Sequence, residues 1–241
     1  MFAIKKHIPN AITSLNLLCG TVALVFAFKG RFDIAFPLML LASVFDFCDG
    51  LAARLLHAYS PMGKELDSLA DMVSFGVLPA VMLYKLMLTC NFGENPLSLV
   101  CLLLAVFSGL RLAKFNVDER QTESFLGLPT PASALLCGSL CYFVAYSPAS
   151  FLAFWCAGQI FLPLLTAALC ALLVCELPMF SMKLGTGSAD KTLKWKRIIF
   201  AVLVVLVVIF TFATGQNWSL AVFLSFTLYI VKNLVYAIFR I

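Results

Sequence analysis

Charged residues are scarce in this chain: Asp, Glu, Lys and Arg make up 12% of its 241 residues, whereas a soluble domain has roughly 25%. Histidine occurs only twice, and none of the nine cysteines forms a Cys-x2-Cys pair. The sequence therefore gives no indication of a zinc site or a redox dithiol. We expect the thiols to be buried among apolar side chains.

Apolar residues are abundant instead, at 62% of the chain, and the mean hydropathy is +1.00. Runs of about 20 apolar residues, enough to cross ~30 Å of hydrocarbon, recur along the whole length. The first run lacks a small-residue cleavage site, so we interpret it as a retained helix. We predict an all-α integral membrane protein with a single membrane domain over residues 1–241. The eight predicted spans are about 11–28, 34–57, 66–89, 97–113, 131–147, 152–175, 197–213 and 217–238.

The distribution of Lys and Arg predicts how these spans are oriented. One side of the predicted membrane has only Lys29, Arg31 and Lys85. The other side has the remaining basic residues: Lys5, Lys6, Arg54, Lys64, Arg111, Lys114, Arg120, Lys183, Lys191, Lys194, Lys196, Arg197, Lys232 and Arg240. This bias places both termini, and the turn between the second and third spans, on the cytoplasmic face of the cell inner or plasma membrane. It also accounts for the net charge of +5, so no nucleic-acid partner is expected.

Four aspartates lie where the second and third spans approach each other. Asp46 and Asp49 are three residues apart, and Asp67 and Asp71 are four apart, so each pair projects from one helix face. A short turn at 60–63 would let the four carboxylates converge. Because unpaired charge is costly in a membrane and carboxylate oxygens suit Mg²⁺, Mn²⁺ or Ca²⁺, this pattern predicts a divalent-cation site. The phosphates of a nucleotide diphosphate would be natural co-ligands.

Small residues lie among these acids. Gly50, Ala52, Ala53 and Gly63 leave room for a nucleotide close to the helix backbone, although tight helix packing would favour the same residue types. Arg54 could neutralise an acid or hold a phosphate. It could equally extend towards lipid headgroups from the membrane boundary.

The acids and small residues together form the pattern Asp46-x2-Asp49-Gly50-x2-Ala53-Arg54-x8-Gly63-x3-Asp67-x3-Asp71. This pattern resembles the signature of the CDP-alcohol phosphatidyltransferase family at every specified position. Within the family, three further strings resemble integral membrane phosphatidylserine synthases: Pro9-Asn10-x2-Thr13-x2-Asn16-x3-Gly20, Arg111-Leu112-Ala113-Lys114-Phe115-Asn116 and Phe125-Leu126-Gly127-Leu128-Pro129-Thr130-Pro131. The resemblance covers about residues 8–175 as a catalytic core of six helices. It leaves 197–238 as two additional C-terminal transmembrane helices.

The resemblance implies a metal-dependent reaction in which CDP-diacylglycerol and L-serine give phosphatidylserine and CMP. Asp46, Asp49 and Asp67 would hold two Mg²⁺ or Mn²⁺ ions, and Asp71 would complete the metal site and act as the general base. Residues that would contact CDP-diacylglycerol are Asn16, Asp49, Gly50, Ala53, Arg54, Gly63 and Asp67. The family also implies a homodimer.

The serine acceptor brings a carboxylate, so a cation is expected near the point of attack. Arg111 and Lys114, one turn apart at the end of the fourth span, are the candidates, and Asn116 could assist. Positive-inside anchoring at the membrane boundary would also explain the two basic residues.

Other functions remain open at this point. Glycerol 3-phosphate and inositol phosphate are alternative acceptors for the same reaction class. A cation transporter or channel would also use intramembrane acids, but the acids cluster at one end of two adjacent spans without counterparts in the other half. An intramembrane aspartic protease needs two facing aspartates and would leave the other two, and Arg54, without a role.

Overall fold

A computed structural model of the chain describes residues 7–90, 96–117, 125–179 and 191–239. The helices in these ranges are α1 (His7–Phe28), α2 (Phe32–Leu55), α3 (Pro61–Cys90), α4 (Pro96–Val117), α5 (Thr130–Tyr146), α6 (Phe151–Ala157), α7 (Phe161–Val174), α8 (Lys191–Ala213) and α9 (Trp218–Phe239). Two short strands, β1 (Phe125–Leu126) and β2 (Pro178–Met179), pair antiparallel. The predicted all-α class is confirmed.

The predicted number of eight spans is not confirmed. Five of the described helices are long and apolar enough to cross a membrane (α1 to α4 and α9), and α5 with α6 makes a sixth if this pair, bent by 104°, is one span. The described apolar parts of α7 and α8 are shorter. The prediction of one helix over 152–175 is wrong because the backbone becomes extended at Gly158, which ends α6 before α7 begins.

The connection between α2 and α3 differs from the predicted turn at 60–63. Helix α2 already ends at Leu55, and Ser60 caps the next helix by accepting a hydrogen bond from the Gly63 backbone N–H at 3.0 Å. Pro61 follows the cap, where its missing N–H has no cost. Gly63 is therefore in the first turn of α3, and the third helix begins five residues before the predicted position 66.

Helix α1 presents a narrow face of small or polar residues to its neighbours. Its buried residues are Pro9, Thr13, Asn16, Gly20, Ala23 and Ala27. Their spacing of three or four residues is that of one helix face, and small side chains let helices approach closely. Helix α1 packs most extensively against α2 and also contacts α3. It is thereby adjacent to both helices that carry the acids.

Helix α3 contains a π-helical segment, Met72–Val77, directly after Asp71. Within it, the Ser74 hydroxyl donates a hydrogen bond to the backbone carbonyl of Asn16 at 3.2 Å. π-Helical turns are rare and occur frequently at functional sites. The segment joins α3 to α1 immediately beside the acids.

The orientation of the bundle in the membrane stays a prediction. Several residues that support it lie outside the described part of the chain: Lys5, Lys6, Arg120, Lys183 and Arg240.

Gly20→Ala tests the contact between α1 and the π-helical segment. An added Cβ would meet Ser74, including its Cα at 3.0 Å, so we expect a loss of about 1–3 kcal/mol from overpacking. Thermal unfolding in detergent measures the effect. Gly109→Ala is the matched control, because its Cβ would meet Met72 at an ordinary distance of 3.5 Å. Equal melting temperatures for the two variants would contradict this account of the contact.

Candidate active site

Three of the four aspartates meet between α2 and α3. Asp46 and Asp49 on α2 and Asp67 on α3 each offer a carboxylate oxygen, and these oxygens lie within 4.8 Å of one another. Asp49 is buried, while Asp46 and Asp67 are half-buried. The spacing along each helix gives each helix a single acidic face, and the short connection brings the two faces together.

Asp71 follows Asp67 by one turn of α3 and lies beside this group of three oxygens. The Asn16 side-chain amide donates to its Oδ1 at 3.5 Å. Its charge interacts with those of the other three aspartates and with that of Arg111. Asp71 is therefore close enough to interact with both the carboxylate cluster and a buried cation.

Helix α1 holds Asp49 in place through Thr13. The Thr13 hydroxyl is 2.6 Å from Asp49 Oδ2 and 3.0 Å from the Pro9 carbonyl oxygen. Thr13 is only 3% exposed, and a buried hydroxyl bonded to a carboxylate is a strong, orienting contact. This role did not emerge from the sequence, where Thr13 was noted only as part of the string Pro9-Asn10-x2-Thr13-x2-Asn16-x3-Gly20.

The donor set fits a divalent cation. Asp67 Oδ1 is buried without a hydrogen-bond partner, as is Asn16 Oδ1, and such groups are costly unless something satisfies them. Neither of the two ion pairs found in the described ranges involves these acids. Carboxylates without His or Cys suit Mg²⁺ or Mn²⁺. The cluster could therefore bind such an ion.

The residues around the acids that the sequence assigned to donor binding differ in their surroundings. A Cβ on Gly50 would meet nothing within 4 Å, so open space lies beside α2 at that position. Gly63 is different, because its Cβ would lie 2.8 Å from Asn10 Oδ1, which is tight helix packing. Ala53 is half-buried. Arg54 is exposed, and its Nε donates to the Gly50 carbonyl at 3.0 Å.

Arg111 is a buried cation near the acids. It is 8% exposed, and its guanidinium donates to the Thr130 hydroxyl at 2.9 Å and lies over the Phe115 ring at 5.5 Å. Its charge interacts with that of Asp71. A buried guanidinium needs hydrogen-bond acceptors and a counter-charge, and both are present.

Lys114 and Asn116, the other two residues predicted to contact the acceptor, form hydrogen bonds to other side chains. Lys114 forms an ion pair with Glu176 at 3.0 Å. The Asn116 side chain donates to the Ser68 hydroxyl at 2.8 Å, and its backbone carbonyl accepts from Lys64 at 3.2 Å. Arg111 thus interacts electrostatically with Asp71, whereas the hydrogen bonds given for Lys114 and Asn116 in the described ranges go to residues outside the acid cluster.

The loop before α5 is fixed to the end of α7 and to the chain that follows it. The Gly127 N–H donates to the Leu177 carbonyl at 2.9 Å, and the Leu128 N–H donates to the Leu172 carbonyl at 2.8 Å. Gly127 has φ +77°, a conformation that favours glycine. These bonds hold the start of α5, and with it Thr130, beside Arg111.

An all-helical bundle with membrane-spanning helices and a cluster of acids suited to a divalent cation defines an integral membrane protein with a candidate metal-dependent active site. The family profile of the CDP-alcohol phosphatidyltransferases matches residues 6–163. This chain belongs to that family of transferases, as its acidic pattern predicted.

Curated relatives give the same family relationship. The chain is 37% identical over 132 residues to the CDP-diacylglycerol–serine O-phosphatidyltransferase of Bacillus subtilis, covering 54% of this chain and 72% of that protein. It is 36% identical over 146 residues to the protein of that name from Methanocaldococcus jannaschii (60% and 66%). For the Mycobacterium bovis protein of that name, identity is 39% over 165 residues (63% and 56%). The matched part therefore spans about half to three quarters of each relative.

Thr13→Val tests whether α1 orients a metal-binding carboxylate. Loss of the hydroxyl removes the hydrogen bond to Asp49 without changing the side-chain size much, and we expect the affinity for Mn²⁺ to fall about tenfold, as for other supporting contacts around metal ligands. Isothermal titration of the purified protein with Mn²⁺ measures this. Thr21→Val is the control, because the exposed Thr21 hydroxyl bonds to the Leu17 carbonyl of its own helix. Identical affinities in the two variants would contradict the assignment.

Proposed function

We propose that this protein transfers the phosphatidyl group from CDP-diacylglycerol to the hydroxyl of L-serine, giving phosphatidylserine and CMP. The family membership supports the reaction class, and the names of the relatives support serine as the acceptor. The observation that carries the proposal is the cluster of Asp46, Asp49 and Asp67 carboxylates between α2 and α3, with Asp71 one turn further along α3 and the buried cation Arg111 close enough to interact with it.

The donor half of the reaction is assigned to the carboxylate cluster. Asp46, Asp49 and Asp67 would hold the divalent cation, and Asp71 would complete its site. Bound Mg²⁺ or Mn²⁺, proposed as two ions, would neutralise the pyrophosphate and so stabilise the leaving CMP. The open space at Gly50 supports a nucleotide close to α2.

The remaining donor contacts are proposed from the family pattern and from position. They are Asn16, Ala53, Arg54 and Gly63. The exposed guanidinium of Arg54 lies one turn from Gly50, where it could reach a phosphate. Gly63 would act indirectly, by allowing α3 to pack closely on α1.

Asp71 is assigned as the general base. A base must lie within hydrogen-bond reach of the proton that it accepts, and the Asn16 amide lies 3.5 Å from one oxygen of this carboxylate. Its position beside the cluster of three oxygens lets it face the acceptor. It would take the proton of the serine hydroxyl as the oxygen attacks phosphorus.

Arg111 is assigned to the serine carboxylate. A guanidinium recognises a carboxylate through parallel N–H donors, and this one interacts with the charge of the proposed base. Lys114 and Asn116 stay predictions as acceptor contacts, because their hydrogen bonds in the structure go to Glu176, Ser68 and Lys64.

The orientation in the membrane, the oligomeric state and the extent of the catalytic core are also proposals. The bias of basic residues supports a site that opens to the cytoplasm, with both termini on that side. Family membership supports a homodimer and a catalytic core over 8–175 within one membrane domain, with two additional C-terminal helices.

An acceptor panel tests the substrate. Purified protein is incubated with CDP-diacylglycerol and Mn²⁺ or Mg²⁺, together with labelled serine, glycerol 3-phosphate or inositol phosphate. We expect CMP release to require the metal and serine, and the label to appear in phosphatidylserine. Incorporation of glycerol 3-phosphate or inositol phosphate without serine would overturn the choice of acceptor. CMP release at the same rate without added metal would overturn the metal-dependent mechanism.

Asp71→Asn tests the base. Transfer should fall by about 10²–10⁴-fold, the usual contribution of general base catalysis, while CDP-diacylglycerol binding measured without serine changes less than about twofold. The reason is that a lost base affects the transition state more than the bound substrate. Asp33→Asn is the control, since Asp33 pairs with Arg31 at the start of α2 and its loss should leave transfer unchanged. An equal loss of donor binding in Asp71→Asn would indicate a purely metal-holding role.

A further inference from the structure

Side chains tie the start of α3 to the end of α4. The Asn116 side-chain amide donates to the Ser68 hydroxyl at 2.8 Å, and the Lys64 ammonium donates to the Asn116 backbone carbonyl at 3.2 Å. The Ser68 hydroxyl in turn donates to the Lys64 carbonyl of its own helix at 3.2 Å. Ser68 and Asn116 are both half-buried. These three residues are called the α3–α4 tie below.

The two tied helices run antiparallel. The last part of α3, Leu78–Cys90, contacts the first part of α4, Pro96–Leu102, and the π-helical segment of α3 contacts Leu103–Val117. The tie joins the remaining two ends. Because its hydrogen bonds depend on distance and direction, the tie opposes any sliding of one helix along the other.

Both helices lead from the tie to residues of the proposed site. Asp71 is three residues beyond Ser68, which is about 4.5 Å along α3. Arg111 is five residues before Asn116, which is about 7.5 Å along α4. Since the helices are antiparallel, the two displacements have the same direction, and Asp71 and Arg111 lie at nearly the same level of the bundle.

The packing beyond the tie agrees with this register. A Cβ added to Gly109 would lie 3.5 Å from the Met72 sulfur. Met72 directly follows Asp71, and Gly109 is two residues before Arg111. The charges of Asp71 and Arg111 also interact. Glycine lets helices approach closely but has no side chain that could interlock with a neighbour, so the register depends on directional contacts such as those of the tie.

We propose that Asn116 is a positioning residue, whose hydrogen bond to Ser68 fixes the register of α4 against α3. This register holds the Arg111 guanidinium at the level of Asp71, where it can meet the carboxylate of the amino-acid acceptor. Asn116 then acts without touching the acceptor, which distinguishes this role from the direct contact that the sequence predicted. The inference rests on the proposed function.

Ser68→Ala tests the role, because it removes the acceptor of the Asn116 amide and leaves every residue assigned to a substrate in place. We expect the KM for serine to rise about fivefold, the value of one ordinary hydrogen bond. The values of kcat and of the KM for CDP-diacylglycerol should stay close to those of the unmodified protein. Ser68→Thr keeps the hydroxyl and should keep the KM for serine.

Thr89→Val is the matched control. Thr89 is on the same helix, and its exposed hydroxyl donates to the carbonyl four residues earlier, that of Lys85, at 2.9 Å, as the Ser68 hydroxyl does to Lys64. It lies at the opposite end of α3 from the tie, so its loss should leave every kinetic constant unchanged.

Asn116→Ala separates positioning from direct contact. It should raise the KM for serine by the same factor as Ser68→Ala, and the double variant should be no worse than either, because both changes remove one bond. A higher KM in Asn116→Ala with an unchanged KM in Ser68→Ala would indicate direct contact and overturn the positioning role. Equal losses in every constant together with a lower melting temperature would show a merely structural tie and overturn it too.

A further variant asks whether the tie acts through Arg111. Arg111→Lys keeps the charge and loses the planar fork. In that background the register no longer places a guanidinium, so Ser68→Ala should leave the KM for serine nearly unchanged. The full rise in that background would overturn the role.

The outcomes separate this inference from the function on which it rests. Failure of the unmodified protein to use serine at all would refute the proposed function. Normal serine transfer by the unmodified protein combined with an unaffected Ser68→Ala variant would refute only the role of the tie.

Discussion

Mutual repulsion among carboxylates in an apolar bundle is the constraint on which the rest of the structure depends. Asp46, Asp49 and Asp67 bring oxygens within 4.8 Å of one another, and few protein contacts offset their charge. Like charges this close destabilise a fold unless a cation or a proton compensates. Because one Asp67 oxygen is buried without a hydrogen-bond partner, a divalent cation is the compensation that best fits the chemistry of the cluster.

The surrounding helices are arranged around this cluster. Helix α1 approaches closely through its small face and supplies Thr13 to Asp49 and Asn16 to Asp71. The π-helical segment after Asp71 is bonded back to α1 by Ser74. On the other side, α4 supplies Arg111, which Thr130 of α5 holds. Asp71 thus interacts with both the acidic cluster and the Arg111 cation, as the proposed base between an anionic donor and a zwitterionic acceptor would.

The sequence predicted the parts of this arrangement that depend on spacing. Intervals of three and four residues between the aspartates place them on one face of each helix, and that geometry does not depend on distant residues. It could not predict the contacts that depend on packing, such as the hydroxyl of Thr13 on Asp49 or the pairing of Lys114 with Glu176. The π-helical segment was also missed, because hydropathy is continuous through it and only backbone hydrogen bonding distinguishes it. The break at Gly158 was missed although Gly158 and Gln159 interrupt the apolar run there.

The most direct test of the central claim is to locate Mn²⁺ in crystals of the purified protein by its anomalous scattering. The account predicts a peak between α2 and α3, with Asp46, Asp49 and Asp67 oxygens at about 2.0–2.3 Å, the range expected for such an ion and hard oxygen ligands, and loss of the peak in Asp49→Ala. Mn²⁺ bound only elsewhere, or side chains of these three residues directed away from a common centre in the metal-soaked crystal, would contradict it.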